Sequence, residues 1–289
     1  MHWTAASSLD YFGLLVADDA RFPLLEAAVA IAQDDHPTLD LQAPLAEVDG
    51  LAQRLCDRLP TDAGPLQRVR LLHHFFFEEL GFGGNVNDYY SLDNSYLHCV
   101  LRTRRGIPIS LAVLYLELAQ RLGLDAGGVS FPGHFLIKLR LPQGDALIDP
   151  LTGDSLSRAL LEERLDPYLA QALGTERRTA RGVDLLPNFL GVAKPREIIA
   201  RMLRNLEAIH RQSGDWHRLL AVQQRLVVLL PQEWAWRRDR GLTYAALGRV
   251  MAAIEDLSAY LAHAEAAPDR GDIIDRLQAL QTGGAARWH

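Results

Sequence analysis

Three residues in the middle of the chain have the types and spacing of a nucleophile, a base and an orienting acid. Ser110 opens a helical stretch, His134 follows Phe131-Pro-Gly, and Asp149 closes the segment Leu147-Ile-Asp. A nucleophile at a helix start sits near the positive end of the helix dipole. A histidine in reach can take its proton, and a carboxylate can fix the histidine's tautomer. His134 and Asp149 stand fifteen residues apart, which suits two paired strands joined by one turn. Each residue also has a plainer use. Ser110 can cap its helix, His134 can serve as a structural histidine beside Gly133, and Asp149-Pro150 can open a turn. Asn94 and Gly133 complete the candidate set as ligand-binding positions. Asn94 can donate to an oxyanion or cap a helix, and the cap is the simpler use.

The elements that must position these residues are legible from periodicity. Phe22, Leu25, Ala28, Val29 and Ala32 recur at helical spacing, as do Leu45, Val48, Leu51, Leu55 and Leu59 up to Pro60. A third helix follows Gly64 with Leu66, Val69, Leu72, Phe76 and Leu80 on one side, and the glycine-rich loop from Gly81 to Asp88 stops it. Ser91 to Leu97 reads as a loop feeding a short helix capped by Asn94 or Ser95. Pro108 suits the first turn of the helix that carries Ser110, where its missing N–H costs little. Leu111, Leu114, Tyr115, Leu118 and Leu122 give that helix an apolar face, and Gly123 is placed to end it. The pattern then turns to strands. Ala126–Phe131, His134–Leu141 and Ala146–Ile148 are short, and Phe135, Ile137, Leu139 and Leu141 alternate with Leu136, Lys138 and Arg140. Pro142-Gln-Gly-Asp makes a hairpin of the last two. Helices followed by a small antiparallel sheet predict an α+β domain.

On these residues the chain resembles a known family. Ser110, His134 and Asp149 match in order the Cys, His and Asp of the transglutaminase-like superfamily, whose core is of the papain-like cysteine protease type. More narrowly, Asp93-Asn-Ser-Tyr-Leu, Arg105-Gly-Ile-Pro-Ile-Ser-Leu and Phe131-Pro-Gly-His-Phe-Leu resemble the bacterial Sir-B invasion-regulator family. That likeness implies a second type of transglutaminase-like core with tetratricopeptide repeats behind it. It also implies that Ser110 stands where the superfamily has its nucleophilic cysteine. A helix start and a neighbouring histidine can lower a thiol's pKa by several units. They cannot ionise a serine hydroxyl, which needs concerted base catalysis and an oxyanion hole.

The strand signal ends near Gly174, and the polar stretch Gly174–Gly182 reads as a linker. From Pro195 the chain is helical with an internal echo. Gly214 and Gly248 stand 34 residues apart, and Gly241, Tyr244, Ala253 and Leu257 have the small and large residues of a tetratricopeptide repeat. The first copy is degenerate, with Glu207 in the place of Gly241. The expected domains are therefore residues 1–182, transglutaminase-like with N-terminal helices, and residues 183–289, an all-α tetratricopeptide-like tail.

Composition sets the remaining bounds. The chain has 289 residues, of which 30 are basic and 36 acidic, a formal net charge of −6. It lacks the uniform basic field that drives nucleic-acid binding. The groups Arg102, Arg104, Arg105 and Arg177, Arg178, Arg181 read as solvated surface. Only Cys56 and Cys99 occur, so a disulfide framework is not expected and a reducing compartment is. Met1 to Asp19 has no basic start before an apolar block, and no stretch reaches a membrane span in length, so a cytoplasmic location is expected. No H-E-x-x-H, C-x-x-C or phosphate-cradling glycine loop is present, so no metal and no cofactor are expected. Two functions remain. One is a non-catalytic or weakly catalytic regulatory protein with a transglutaminase-like pocket, whose repeat tail docks a protein partner. The other is a serine hydrolase or amidase using Ser110, His134 and Asp149.

Overall fold

The computed structural model describes residues 7–88, 91–173 and 184–285. In chain order the helices are α1 (Ser8–Leu15), α2 (Leu24–Ala30), α3 (Gln42–Cys56), α4 (Pro65–His73), α5 (Leu97–Thr103), α6 (Pro108–Arg121), α7 (Arg158–Leu173), α8 (Pro195–Ser213), α9 (Trp216–Leu229), α10 (Ala235–Ala246), α11 (Val250–His263) and α12 (Arg270–Ala285). The strands are β1 (Gly83–Gly84), β2 (Arg105–Gly106), β3 (Ala126–Val129), β4 (Leu136–Leu141) and β5 (Gly144–Ile148). The residues form two compact units. One is Pro23–Ala32 with Thr38–Ile198, and the other is Met1–Phe22 and Gln33–Pro37 with Ile199–His289. The boundary expected after residue 182 and the linker Gly174–Gly182 lie outside the described residues.

The first unit is α+β, as the sequence predicts, and is built around α6. Pro108 opens the helix and Gly123, at φ +66°, follows its end. Every residue from Pro108 to Leu116 is buried. A helix apolar all round has no solvent face and must be core. It packs against α2, α3, α4, α5, β3 and β4. Alanines at 27, 28 and 30 leave α2 little side-chain bulk to hold other elements away. α4 runs on through a π-helical turn at His74–Glu79, which carries the helical register beyond the regular helix.

β3, β4 and β5 form an antiparallel sheet with β4 in the centre. Leu139 pairs with Ala126 on one side and Ala146 on the other, and Ile137 pairs with Ile148. The alternation along β4 predicts one buried face, yet Leu136, on the other face, is also fully buried. The reason is α7, which stands where the sequence reading placed no element. Leu161 and Leu165 of α7 join Val129, Phe131, Leu136 and Leu147 in one apolar cluster. Ser157 caps the helix by accepting the Leu160 N–H at 3.3 Å. Three further expectations are corrected. β3 stops at Val129, because Phe131 turns back to donate to the Val129 carbonyl. His134 lies in that turn, not in a strand. Neither Asn94 nor Ser95 is the N-cap of α5: that position is Tyr96, and α5 has no side-chain cap.

The second unit holds the repeat. α8 and α9 meet at Gly214, α10 and α11 meet at Gly248, and α12 follows. Both glycines are left-handed, at φ +69° and +70°, a conformation that favours glycine in a tight turn. At Gly241 a Cβ would lie 2.9 Å from Leu257 Cδ2, so the small residue lets α10 and α11 close. α1 packs on α9 in the same unit. Arg225 of α9 is 1 % exposed and holds Asp34 through Nε at 2.7 Å and Nη2 at 2.9 Å. Its guanidinium lies 4.9 Å from the Phe12 ring. No helix among the described residues is long and apolar enough to cross a membrane.

The sheet's tightest point gives a stability prediction. A Cβ at Gly128 would fall 2.5 and 2.7 Å from ring atoms of Phe135, which is 1 % exposed and has nowhere to go. Gly128→Ala is expected to cost about 1–3 kcal/mol. Urea denaturation of the two proteins measures this, and an unshifted midpoint would show that the β3–β4 contact is looser than described.

Candidate functional site

Asp149 follows β5 and is the meeting point of the site. Its side chain is 7 % exposed. Oδ1 accepts from His134 Nε2 at 2.9 Å and from the Leu151 backbone N–H at 3.0 Å. Oδ2 accepts from Arg164 Nη1 of α7 at 3.0 Å. Burial alone would raise the carboxyl's pKa. The hydrogen bonds from His134 and Leu151, with Arg164 behind them, outweigh it and leave Asp149 at about 2. Strand pairing explains how the sequence delivers this. The Ile137–Ile148 register brings the end of β5 beside the start of β4, where the turn Phe131–His134 presents the imidazole. Gly133 in that turn is at φ +66°, and a Cβ there would lie 1.6 Å from the Tyr168 hydroxyl oxygen. Glycine is required twice, for conformation and for room.

Ser110 is used differently. It is the third residue of α6 and is fully buried. Its hydroxyl donates to the Asn94 carbonyl at 2.7 Å, with the Ile107 carbonyl also 3.0 Å away, and accepts the Ile107 N–H at 3.1 Å. The last bond is one half of a capping box, so the side chain closes the first turn of its own helix. A Cβ at Gly106 would sit 2.7 Å from Ser110 Oγ, which makes the space around the hydroxyl tight. No hydrogen bond joins Ser110 to His134 among the described residues. Of the three residues expected to act together, the fold pairs His134 with Asp149 and ties Ser110 to backbone.

The other candidates are likewise accounted for. Asn94 is 2 % exposed. Its amide donates to the Asp88 carbonyl at 2.7 Å and its side-chain oxygen accepts from Asn85 at 3.0 Å. It organises the loop before α5 and supplies the carbonyl that holds Ser110. Cys99, the thiol near the motifs, is buried, and burial together with the charge of Asp93 pushes it up to about 11. It is a protonated thiol near neutral pH. The residues missed by sequence reasoning are Arg164 and Tyr168, both on α7. The signal was present in Ser157 and in the spacing of Leu161 and Leu165, but Pro167 inside the helix obscures it.

Chemically, the arrangement holds an imidazole in one orientation against a carboxylate that is ionised near neutral pH and shared with an arginine. Among the described residues, no hydroxyl or thiol hydrogen-bonds that imidazole.

Comparison with known proteins agrees with this architecture. Residues 42–204 match the model of the transglutaminase-like superfamily, and residues 206–278 match a tetratricopeptide repeat model. The chain is 36 % identical over 253 residues to a UPF0162 protein of Xylella fastidiosa, covering 86 % of each. It is 33 % identical to a UPF0162 protein of Pseudomonas aeruginosa, covering 78 % of each. To UPF0162 protein YchA of Escherichia coli K12 it is 28 % identical, covering 93 % of this chain and 95 % of that one. No solved structure gives a significant match.

The Asp149 geometry fixes a pH dependence. A carboxyl held below its ordinary 3.8 in the folded state adds stability above that value and loses it as pH falls through about 2. The contribution is on the order of 2 kcal/mol. Asp149→Asn should therefore be destabilised at neutral pH and should show less acid sensitivity than the native protein between pH 4 and 2. Thermal melting across that window is the check, and parallel curves for the two proteins would contradict the assignment.

Proposed function

The chain belongs to the transglutaminase-like superfamily and, within it, to the UPF0162 proteins, and on that premise we propose that it is a binding and regulatory protein, not a working acyltransferase, protease or hydrolase. The observation that carries this reading is the Ser110 hydroxyl, buried and donated to the Asn94 carbonyl instead of facing His134. A nucleophile must be within hydrogen-bond reach of its base and open to substrate. Ser110 has neither property, and a hydroxyl gains little from a helix dipole that would ionise a thiol. The His134–Asp149 pair then serves as a fixed polar wall of a binding site. The motifs at Asp93–Leu97, Arg105–Leu111 and Phe131–Leu136 extend the proposal to the Sir-B invasion-regulator type and a cytoplasmic regulator.

The same hydrogen bond between His134 and Asp149, at 2.9 Å, supports the competing reading of a serine hydrolase or amidase. Two measurements separate them. With activated esters and peptide anilides, the native protein and Ser110→Ala should show the same background rate. Turnover that Ser110→Ala abolishes would overturn the proposal. In Ser110→Cys, the thiol should alkylate more slowly than the exposed Cys56 near neutral pH, because its site is closed. Preferential labelling at position 110 would restore the catalytic reading.

The repeat unit is the proposed docking surface for a protein partner. A groove of about 520 Å³ opens between α10 and α12, lined by Arg238, Asp239, Asp269, Asp272, Asp275 and Arg276 over Leu242 and Ile273. Arg238 already pairs with Asp239 and Asp269. Asp272 and Asp275 are exposed on α12. In the full-length chain, Asp272→Lys with Asp275→Lys should release a protein that the native chain captures, with melting unchanged. Undiminished capture would assign docking elsewhere.

A further inference from the structure

The side of α7 that faces the His134 turn carries two groups that the folded unit leaves largely unused. Arg164 and Tyr168 are four residues apart, neighbours on one helix face. Arg164 gives one N–H to Asp149 Oδ2 and has no other partner among the described residues. A guanidinium has five such donors in a planar fork. Its side chain is 36 % exposed, so the remaining edge is open to solvent. The Tyr168 hydroxyl has no hydrogen-bond partner among the described residues, although it is held in place against Gly133. The His134 ring, 15 % exposed, lies in the same turn with Nε2 committed to Asp149. Asp149 is the acidic group in this cluster, and it is already bonded on both oxygens. An incoming anion therefore meets a matched carboxylate and unspent donors.

We propose that Arg164 and Tyr168, set over the Gly133-His134 turn, form a recess for one small anionic group, a carboxylate or a phosphate. The Arg164 edge offers two parallel N–H groups, a geometry that fits both oxyanions and that lysine does not reproduce. Tyr168 adds a third donor from the next turn of the same helix. Gly133 is the residue that makes this arrangement possible, since any side chain there displaces the hydroxyl. The inference rests on reading the site as a binding site and names the chemistry it would accept.

The test uses the full-length protein at constant ionic strength. Imidazole and tyrosine ring signals are followed by NMR during three titrations. The ligands are inorganic phosphate, an acetylated dipeptide with a free C-terminal carboxylate, and the same dipeptide as its C-terminal amide. The expected result is a saturable shift of the His134 and Tyr168 signals with phosphate or the free carboxylate, and none with the amide. Response to phosphate alone or to the carboxylate alone identifies the source of the anion. Tyr168→Phe, which leaves the His134–Asp149 pair in place, should weaken binding roughly tenfold, about the loss of one hydrogen bond to a charged group. Arg164→Lys should weaken it at least as much. Absence of a saturable shift with both anions, equal response to the amide, or native affinity in both variants would overturn the proposal. Hydrolysis dependent on Ser110 would overturn the non-catalytic reading while leaving a measured anion affinity intact, so the two failures are distinguishable.

Discussion

A nearly buried carboxylate with every bond made is the constraint around which the α+β unit is arranged. Ionised Asp149 would be costly in that position without partners. It is stabilised by a turn before β4, by the backbone of its own turn and by α7. Each partner is in turn fixed by apolar packing: β4 through Leu136 and Ile137, α7 through Leu161 and Leu165. Loss of any one leaves a charge short of a partner, so the three elements are coupled through one side chain. The coupling also sets the site's character. A carboxylate shared between a histidine and an arginine is electrically matched. It holds the imidazole still.

Serine at position 110 suits its buried position on chemical grounds. A cysteine at a helix N-terminus beside a histidine ionises readily and becomes reactive. A serine hydroxyl stays protonated and is instead a good short-range donor. Here it spends its proton on Asn94 and its lone pair on Ile107 N–H, joining the loop before α5 to the first turn of α6. A thiol is a weak donor and larger, and Gly106 leaves little space beside Ser110. At this helix start the serine anchors the central helix.

Where local chemistry decides, the sequence is readable. Pro108 and Gly123 bound α6, the Pro142-Gln turn makes the β4–β5 hairpin, and Gly214 and Gly248 mark the repeat turns. Each of these depends on the conformational limits of one or two residues. The approach of His134 to Asp149 follows from the hairpin, because strand register carries side-chain positions across a short distance. Long-range partners are not readable in this way. Arg164 reaches Asp149 only through the packing of a helix that carries Pro167 in its interior. Asn94 has the composition of a cap, but its contacts are set by the loop from Asn85 and by α6. The parallel pair of β1 and β2 is two residues long on each strand and leaves no periodic trace.

The repeat unit shows the same limit and its consequence. In the second copy Gly241 lets Leu257 close on it. In the first copy the equivalent residues are Glu207 and Gln223, polar at the positions where packing should be tightest. Glu207 pairs with Arg211 on its own helix, and Gln223 is fully buried. Such a copy cannot close by side-chain complementarity within the repeat alone. The unit completes itself with distant chain, taking α1 and Gln33–Pro37. Asp34 and Phe12 meet Arg225, and α9 is buried at Leu219, Val222, Leu226 and Leu229 as well as at Arg225. An arginine 1 % exposed is stable only because Asp34 accepts two of its donors and an aromatic face covers it. The cost of the degenerate copy is thus met by using up the surface of α9. The side built by α10 and α12 stays open, and there exposed aspartates border Leu242 and Ile273.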